Sequence, residues 1–232
     1  MNILSAGAAK GLLQTIAAAE GIELNGEFGA VGAIKERMQA GAPCDVIVLT
    51  AAMIAELAAA GVVDAASVTP LGRVHTGVAL LASSAPMQIN SVAALRELCA
   101  NATKIYFPDP VRATAGIHCL KVLTSLGLVP SYEDRFATFP SGAIAMRAMA
   151  DAANVAGVGE TGAIGITQCS EILYTPGVQY AGALPEPYAL STVYTAAITQ
   201  AAQNIPEAHR LLAALAAVAD AGIVIAAGFE AV

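Results

Sequence analysis

CDVIVLT (residues 44–50) decides the fold class, because its residues are apolar one after another rather than at alternate positions. A strand with one buried face alternates apolar and polar side chains. This strand is therefore expected to be covered on both faces, as in a parallel sheet with helices on each side. The Ala-rich stretch AAMIAELAAAGVV follows it directly and predicts one of those helices.

Strands and helices alternate in two series along the chain. The first series has strands NILSA (2–6), IELNGEF (22–28) and CDVIVLT, with helices at about 8–19 and 30–40. The second has strands KIYF (104–107), RFATF (135–139) and GAIGITQ (162–168), with helices at about 91–100, 115–126 and 142–153. The sequence therefore predicts an α/β protein of two lobes, each a mostly parallel sheet flanked by helices.

Two long extended segments, 73–82 and 185–198, predict hinge strands that cross between the lobes. We therefore expect residues 1–78 and 196–232 to form lobe 1, and residues 79–195 to form lobe 2. The sequence contains no Pro-rich or low-complexity linker. Strands rather than a flexible tether are expected to join the lobes.

Composition excludes several classes of function. The chain has 232 residues, of which 56% are hydrophobic and 12% charged, so it can build a large core. Its net charge of −7 and its 11 scattered basic residues argue against nucleic acid as a partner. The apolar run at 211–229 contains Asp220 and is mostly Ala and Gly, which predicts buried helix ends rather than membrane insertion.

The N-terminal stretch MNILSAGAAK has no pattern of a secretory leader. A cytoplasmic location is expected for the chain as written, or a periplasmic one if a leader has been removed. The cysteines lie far apart, without the spacing of a zinc site: Cys44, Cys99, Cys119 and Cys169. We interpret them as buried thiols, and predict no metal site and no cofactor.

Polar and small residues collect where predicted strands pass into helices. The junctions are LSAGAAK (4–10), FGAVGAIK (28–35), DPVRATAGIH (109–118), FPSGAIAMR (139–147) and TQCSEI (167–172). Open α/β sheets bind ligands at these strand ends, where helix N-termini offer free N–H groups. Each junction alone is typical of an ordinary cap or turn. Five such junctions, distributed over two lobes, predict a small-anion site in a cleft between the lobes.

The sequence resembles the molybdate-binding proteins of ABC transporters over nearly the whole chain. The segments that carry the resemblance are LSAGAAKGLL, FGAVGAIKERMQAGAPCDVIVLTAA, DPVRATAGIHCLKVLTSLGL, GAIGITQCSEI and STVYTAAI before IPEAHRLLAAL. The resemblance implies the two-lobed type 2 periplasmic binding fold with its ligand in the cleft. It also implies an ABC permease as partner if the protein is exported.

The resemblance is incomplete at two ligand positions. Molybdate binders of this family use a Ser hydroxyl in each of the first two strand-to-helix turns, where this chain has Ala8 and Val31. Ala115 and Tyr194 match the family pattern, and Ser141 begins a turn where the family contributes a backbone donor. Each unsatisfied buried polar contact costs about 1–3 kcal/mol, so molybdate is disfavoured as the ligand.

Arg112 and Thr114 add side-chain donors to the third junction. Because Arg binds a planar carboxylate in a two-pronged hydrogen bond, they favour an organic di- or tricarboxylate. The alternative for Arg112 is a solvated loop arginine. The candidate ligand-binding residues are Ser5, Gly7, Ala8, Val31, Gly32, Arg112, Thr114, Ala115, Gly116, Ser141, Gly142, Gln168 and Tyr194.

Bacterial aconitate isomerase resembles the same family, which implies that this scaffold can support a proton shift on a tricarboxylate. Such a reaction needs a base, and the candidates are His118, His75 and Tyr194. The structural alternative for His118 is packing of its ring against the sheet. Glu160 and Glu171 are further candidates, although Glu171 is also placed to cap a short helix.

The sequence therefore leaves three functions open. The first is a solute-binding protein of the ABC-transporter type, and the second is a cofactor-independent isomerase of a small tricarboxylate. The third is a cytoplasmic ligand sensor, which requires a partner protein. Binding is favoured over catalysis because it needs only the strand-end features already named.

Overall fold

The computed structural model describes residues 1–155, 161–218 and 222–232, which divide into two units. Unit 1 comprises Met1–Val74 and Thr192–Val232, and unit 2 comprises His75–Ser191. The chain passes from one unit to the other slightly earlier than the predicted boundaries of 78/79 and 195/196. Both passages lie within the extended segments 73–82 and 185–198.

The elements alternate as the sequence predicts. The strands are β1 (Asn2–Ala6), β2 (Asn25–Gly29), β3 (Val46–Thr50), β4 (Thr69–Leu81), β5 (Ile105–Pro108), β6 (Phe136–Phe139), β7 (Ile164–Gln168), β8 (Val178–Ala183) and β9 (Ser191–Ile198). The α-helices are α1 (Lys10–Ala19), α2 (Val31–Gln39), α3 (Ala51–Ala59), α4 (Val92–Asn101), α5 (Thr114–Ser125), α6 (Gly142–Ala153), α7 (Cys169–Leu173), α8 (Ile205–Ala217) and α9 (Gly222–Ala226). Short 3-10 helices lie at Gly7–Ala9, Ala65–Ser67 and Glu133–Arg135.

Unit 1 contains a sheet in the order β2-β1-β3-β9. β1 pairs in parallel with β2 and with β3, whereas β9 runs antiparallel to β3. In β3 the residues from Val46 to Leu49 are all completely buried. The prediction that this strand is covered on both faces is therefore confirmed, and the α/β class with it.

Unit 2 contains a sheet in the order β8-β4-β7-β5-β6. β5 pairs in parallel with β6 and β7, while β4 is antiparallel to both β7 and β8. One face of the sheet packs in a cluster with Leu95 of α4 and Val122 of α5. The other packs with Met146 and Met149 of α6. Strand β8 was not predicted from the sequence.

The start of β2 differs from the prediction for a local reason. The predicted strand began at Ile22, but β2 begins at Asn25. Gly21 has a φ of 65° and the N–H of Ile22 donates to the carbonyl of Ala17 at 2.8 Å. Ile22 therefore closes the C-terminus of α1, as an apolar residue after a left-handed glycine commonly does.

The apolar run at 211–229 divides between the end of α8 and the short α9, and Asp220 lies outside the described residues. Among the described helices, none has the length and hydropathy needed to cross a membrane. All four cysteines are buried free thiols. Burial raises the pKa of Cys44 and of Cys99 to about 12, so both thiols stay protonated at neutral pH.

Asp45 joins three parts of unit 1 that are distant in sequence. Its side chain is 2% exposed, and one carboxylate oxygen accepts a hydrogen bond from the backbone N–H of Asn2 at 2.7 Å. The other accepts from the N–H groups of Gln203 at 2.7 Å and Asn204 at 3.0 Å. Burial by itself raises the pKa of Asp45, but these three donors, together with the positive charge of the N-terminal amine, outweigh it and hold the pKa below its ordinary value.

Replacing Asp45 with Ala is expected to lower the free energy of unfolding at neutral pH by about 3 kcal/mol, because three N–H groups lose the buried carboxylate that accepts from them. Since the folded-state pKa is depressed, the contribution of Asp45 is complete above about pH 4 and is lost as the pH falls below that value. Urea unfolding of both proteins across the acid range measures this. The exposed Asp151→Ala is the control, with an expected change within about 0.5 kcal/mol. A constant difference between wild type and Asp45→Ala down to the lowest pH contradicts the assignment.

Candidate functional site

The carboxyl edge of the unit 2 sheet gathers three helix N-termini. β5, β6 and β7 are parallel neighbours, so their carboxyl ends lie at one edge of the sheet, with Pro108 and Phe139 in register. From this edge the chain passes into α5, α6 and α7. This is the place where open α/β sheets bind ligands.

The turn before α5 is fixed by Asp109. Its side-chain oxygen Oδ1 accepts from the backbone N–H of Val111 at 2.7 Å and of Arg112 at 3.1 Å. Its carbonyl oxygen accepts from the N–H of Ala113 at 3.1 Å. A Cβ at Gly116 would overlap the carbonyl oxygens of Pro108 and Asp109. The Ala-Gly step therefore lets the first turn of α5 lie directly against the end of β5.

The first turn of α5 keeps its hydrogen-bond donors available. Within the part of the chain that the structure describes, the N–H groups of Thr114, Ala115 and Gly116 donate to no protein acceptor. The Arg112 side chain beside them is exposed and makes no ion pair or hydrogen bond with the described residues. Free amides and a guanidinium in this arrangement suit an anion.

The N-terminus of α6 is occupied differently. The Ser141 hydroxyl accepts from the N–H of Ile144 at 3.4 Å, as an N-cap. The Glu171 carboxylate accepts from the N–H of Ala143 at 3.3 Å and from the Thr167 hydroxyl at 2.6 Å. A Cβ at Gly142 would overlap both Glu171 Oε2 and Thr167 Oγ1. Gly142 is therefore required because the protein's own carboxylate lies against this turn.

Glu171 braces two helices. It is 5% exposed. Besides the hydrogen bonds from Ala143 and Thr167, its carboxylate accepts one from the backbone N–H of Gln168, the residue that precedes α7. Burial raises the pKa of Glu171, and the hydrogen bonds from Thr167, Ala143 and Gln168 only partly oppose this. The geometry agrees with the capping interpretation of Glu171. Glu160 lies outside the described residues.

His118 is held by a backbone carbonyl. Its Nε2 lies 2.8 Å from the carbonyl oxygen of Tyr188, and the ring is partly buried on α5. A carbonyl oxygen only accepts, so Nε2 carries the hydrogen and Nδ1 of the neutral ring is left as a proton acceptor.

Unit 1 has its own carboxyl edge. The parallel strands β1, β2 and β3 end there at Ala6, Gly29 and Thr50, and Tyr194 of β9 is in register with Thr50. The Thr50 hydroxyl accepts from the N–H of Met53 at 3.4 Å and caps α3. This cap was not among the predicted site residues, although a Thr directly before a helix is a recognisable signal.

The predicted residues of unit 1 surround that edge. Ser5 is completely buried, and its hydroxyl donates to the carbonyl of Ala6 at 3.0 Å. The Tyr194 ring is 2% exposed and packs edge-to-face on Phe229 at 6.3 Å between ring centroids. The remaining predicted residues follow β1 and β2: Gly7 and Ala8 lie in the 3-10 helix after β1, and Val31 and Gly32 begin α2.

The edge of unit 2 likewise collects the predicted residues of that unit. They are Arg112, Thr114, Ala115, Gly116, His118, Ser141, Gly142 and Gln168. Their part in ligand binding stays a prediction. Among the described residues there is no group of three or more His, Cys, Asp or Glu side chains suited to a metal ion.

A cavity of about 380 Å³ lies at the opposite, amino edge of unit 1. Leu57, Cys44 and Asp45 are among the buried residues that line it. None of the predicted ligand-binding residues lies in its wall.

The comparisons with known proteins agree with this architecture of two α/β units. The sequence profile of the bacterial extracellular solute-binding protein family matches residues 1–230. The chain therefore belongs to that family.

Two solved structures share the fold at low sequence identity. The periplasmic molybdate-binding protein of Azotobacter vinelandii is 19% identical, with a TM-score of 0.73, over 99% of this chain and 98% of that protein. The sulfate-binding protein SubI of Mycobacterium tuberculosis is 17% identical, with a TM-score of 0.69, over 100% of this chain and 86% of that protein. The fold implied by the sequence resemblance is confirmed.

The chain is also similar to an enzyme. An aconitate isomerase of Pseudomonas sp is 24% identical over 234 residues, which cover 95% of this chain and 83% of that protein. This is a distant similarity along most of the chain.

Because burial raises its pKa, Glu171 is expected to reduce stability as the pH rises. Relative to the unfolded chain, its contribution is fully favourable below about pH 4.3 and is lost as the pH rises through the raised folded-state pKa. Glu171→Gln removes the ionisation and should flatten the decline in the free energy of unfolding over this range. Urea unfolding of both proteins from about pH 4 to pH 8 measures it. Parallel pH profiles for wild type and variant contradict the assignment.

Proposed function

We propose that the protein binds a small anion, with α5 of unit 2 as its principal contact. The proposal depends on one observation above all, the difference between the two long helices at this edge. α6 has two first-turn N–H groups bonded to Ser141 and Glu171, whereas α5 has three that donate to no acceptor in the described part of the chain. Free N–H groups at a helix N-terminus bind anions without a basic surface, which suits a chain of net charge −7.

We propose an organic di- or tricarboxylate as the ligand in preference to molybdate. Arg112 offers a planar pair of donors beside the first turn of α5, and Thr114 adds a hydroxyl. Ala8 and Val31 supply no hydroxyl at the positions where molybdate binders have Ser.

We propose that the biological role is delivery of this anion to an ABC permease, from the periplasm. Membership of the bacterial extracellular solute-binding protein family supports this role. So does the fold shared with a periplasmic molybdate-binding protein.

Calorimetric titration with molybdate, sulfate, phosphate, citrate and trans-aconitate tests the proposal. We expect heat of binding with at least one carboxylate, and a weaker response to the tetrahedral oxyanions. Failure of every anion in this series to bind would falsify the proposed function. Tighter binding of molybdate or sulfate would leave anion binding in place and overturn the carboxylate preference.

Arg112→Ala is expected to weaken carboxylate binding tenfold or more, equivalent to about 1.4 kcal/mol, because the bidentate donor is lost. Arg112→Lys keeps the charge but not the planar pair of donors, and should bind more tightly than Arg112→Ala but more weakly than wild type. The matched control is Arg147→Ala, which removes an exposed arginine of unit 2 from α6. Titration of the three variants against wild type measures the effect. Equal losses for Arg112→Ala and Arg147→Ala would mean that only net charge matters.

A second candidate function is isomerisation of a small tricarboxylate without a cofactor. The distant aconitate isomerase and the geometry of His118 favour it, because a carbonyl-held Nε2 leaves Nδ1 as a neutral proton acceptor. NMR of cis- and trans-aconitate incubated with the protein tests it. Interconversion that is lost in His118→Gln, with binding retained, supports catalysis. Binding by wild type without turnover above buffer excludes this activity.

A further inference from the structure

Thr76 lies at the carboxyl edge of unit 2, although its own strand runs in the opposite direction. β4 is antiparallel to β7, and Thr76 is in register with Gln168, the last residue of β7. Side chains of directly opposed residues in an antiparallel pair lie on the same face, about 5 Å apart at Cβ. Thr76 and Gln168 are therefore neighbours at the edge where α5 begins.

Strand alternation places both side chains on the face covered by α5. Thr76 shares a face with Val78 and Leu80, and Gln168 shares a face with Ile164 and Ile166. These four apolar residues pack in one cluster with Cys119, Val122 and Leu123 of α5. Thr167 belongs to the other face and donates to Glu171 beside α6.

The Thr76 side chain is 1% exposed, and its hydroxyl has no hydrogen-bond partner among the described residues. Its backbone, in contrast, is fully bonded: the N–H donates to the carbonyl of Leu190 at 2.9 Å and the carbonyl accepts from the N–H of Leu184 at 3.0 Å. A buried hydroxyl without a partner destabilises the folded protein, since it loses its bonds to water. A Val of the same shape avoids that cost.

We propose that Thr76 is a ligand-binding residue whose hydroxyl donates to an oxygen atom of the anion held by α5. This inference rests on the proposed function, because it assigns a further contact to the same site. The free N–H groups of Thr114, Ala115 and Gly116 bind one end of the ligand. Thr76 and the neighbouring Gln168 are uncharged hydrogen-bonding residues, which suit a second oxygen atom of the same anion.

Thr76→Val tests this, because it removes the hydroxyl and keeps the shape. The anions to be titrated are citrate, trans-aconitate, molybdate, sulfate and phosphate. For the one that wild type binds most tightly, we expect Thr76→Val to bind at least tenfold more weakly. The Tm without ligand should be unchanged or higher, since an unpaired buried hydroxyl is removed. Thr76→Ser retains the hydroxyl and should bind within about threefold of wild type, because the hydrogen bond to the anion is kept.

Thr199→Val is the matched control. The Thr199 side chain is also buried, at 5% exposure, but its hydroxyl donates to the carbonyl of Cys44 in unit 1. This variant should lower the Tm and leave the affinity unchanged. Thr76→Val is therefore expected to change the affinity without lowering the Tm, and Thr199→Val to lower the Tm without changing the affinity.

The outcomes separate this inference from the function on which it rests. If wild type binds none of the five anions, the proposed function fails and this contact fails with it. If wild type binds and Thr76→Val binds equally well, Thr76 is not a ligand contact and the proposed function stands. A lower Tm for Thr76→Val, comparable with that of Thr199→Val, also overturns the inference, because it shows that the hydroxyl has a structural partner.

Discussion

A helix that begins at the end of a parallel strand leaves its first N–H groups without acceptors in its own backbone. Each such helix must find acceptors in side chains, in solvent or in a ligand. In unit 2 the two long helices at this edge differ: α6 uses Ser141 and Glu171, and α5 uses no protein acceptor among the described residues. The glycine at position 142 and the burial of Glu171 both go with this arrangement at α6, and the burial raises the pKa of Glu171. The anion site that we propose in unit 2 depends on α5, whose first N–H groups have no such acceptor.

The sequence predicted the parts of this arrangement that depend on local pattern. The consecutive apolar residues of β3, the alternation of strands with helices, and the small residues at strand ends are all short-range signals. They were sufficient for the fold class and for the residues that the strand ends bring together within each unit. Strand β8 was missed because a short antiparallel strand in a Gly-containing stretch has little periodicity of its own.

Thr76 and the brace formed by Glu171 depend on contacts across the sheet. Thr76 is placed at the carboxyl edge of the unit 2 sheet only by its register with Gln168, a residue far along the chain. The sequence placed Glu171 at the start of a short helix, but its bond to Ala143 requires that α6 and α7 begin at the same edge. No local pattern encodes these pairings. Family membership describes the scaffold, whereas our proposal for the ligand rests on a few residues such as Ala8, Val31 and Arg112.

The two units also differ in the number of chain segments that form them. Unit 2 is one continuous stretch, His75–Ser191, whereas unit 1 combines the first residues with those from Thr192 onward. Asp45 needs the N–H groups of Gln203 and Asn204, and β3 needs β9 as its neighbour. During synthesis on the ribosome, unit 2 can therefore complete its sheet while β1, β2 and β3 still expose an unpaired edge. Unit 1, although it is begun first, is the last to be finished, and the nascent chain must protect that edge until its C-terminal residues emerge.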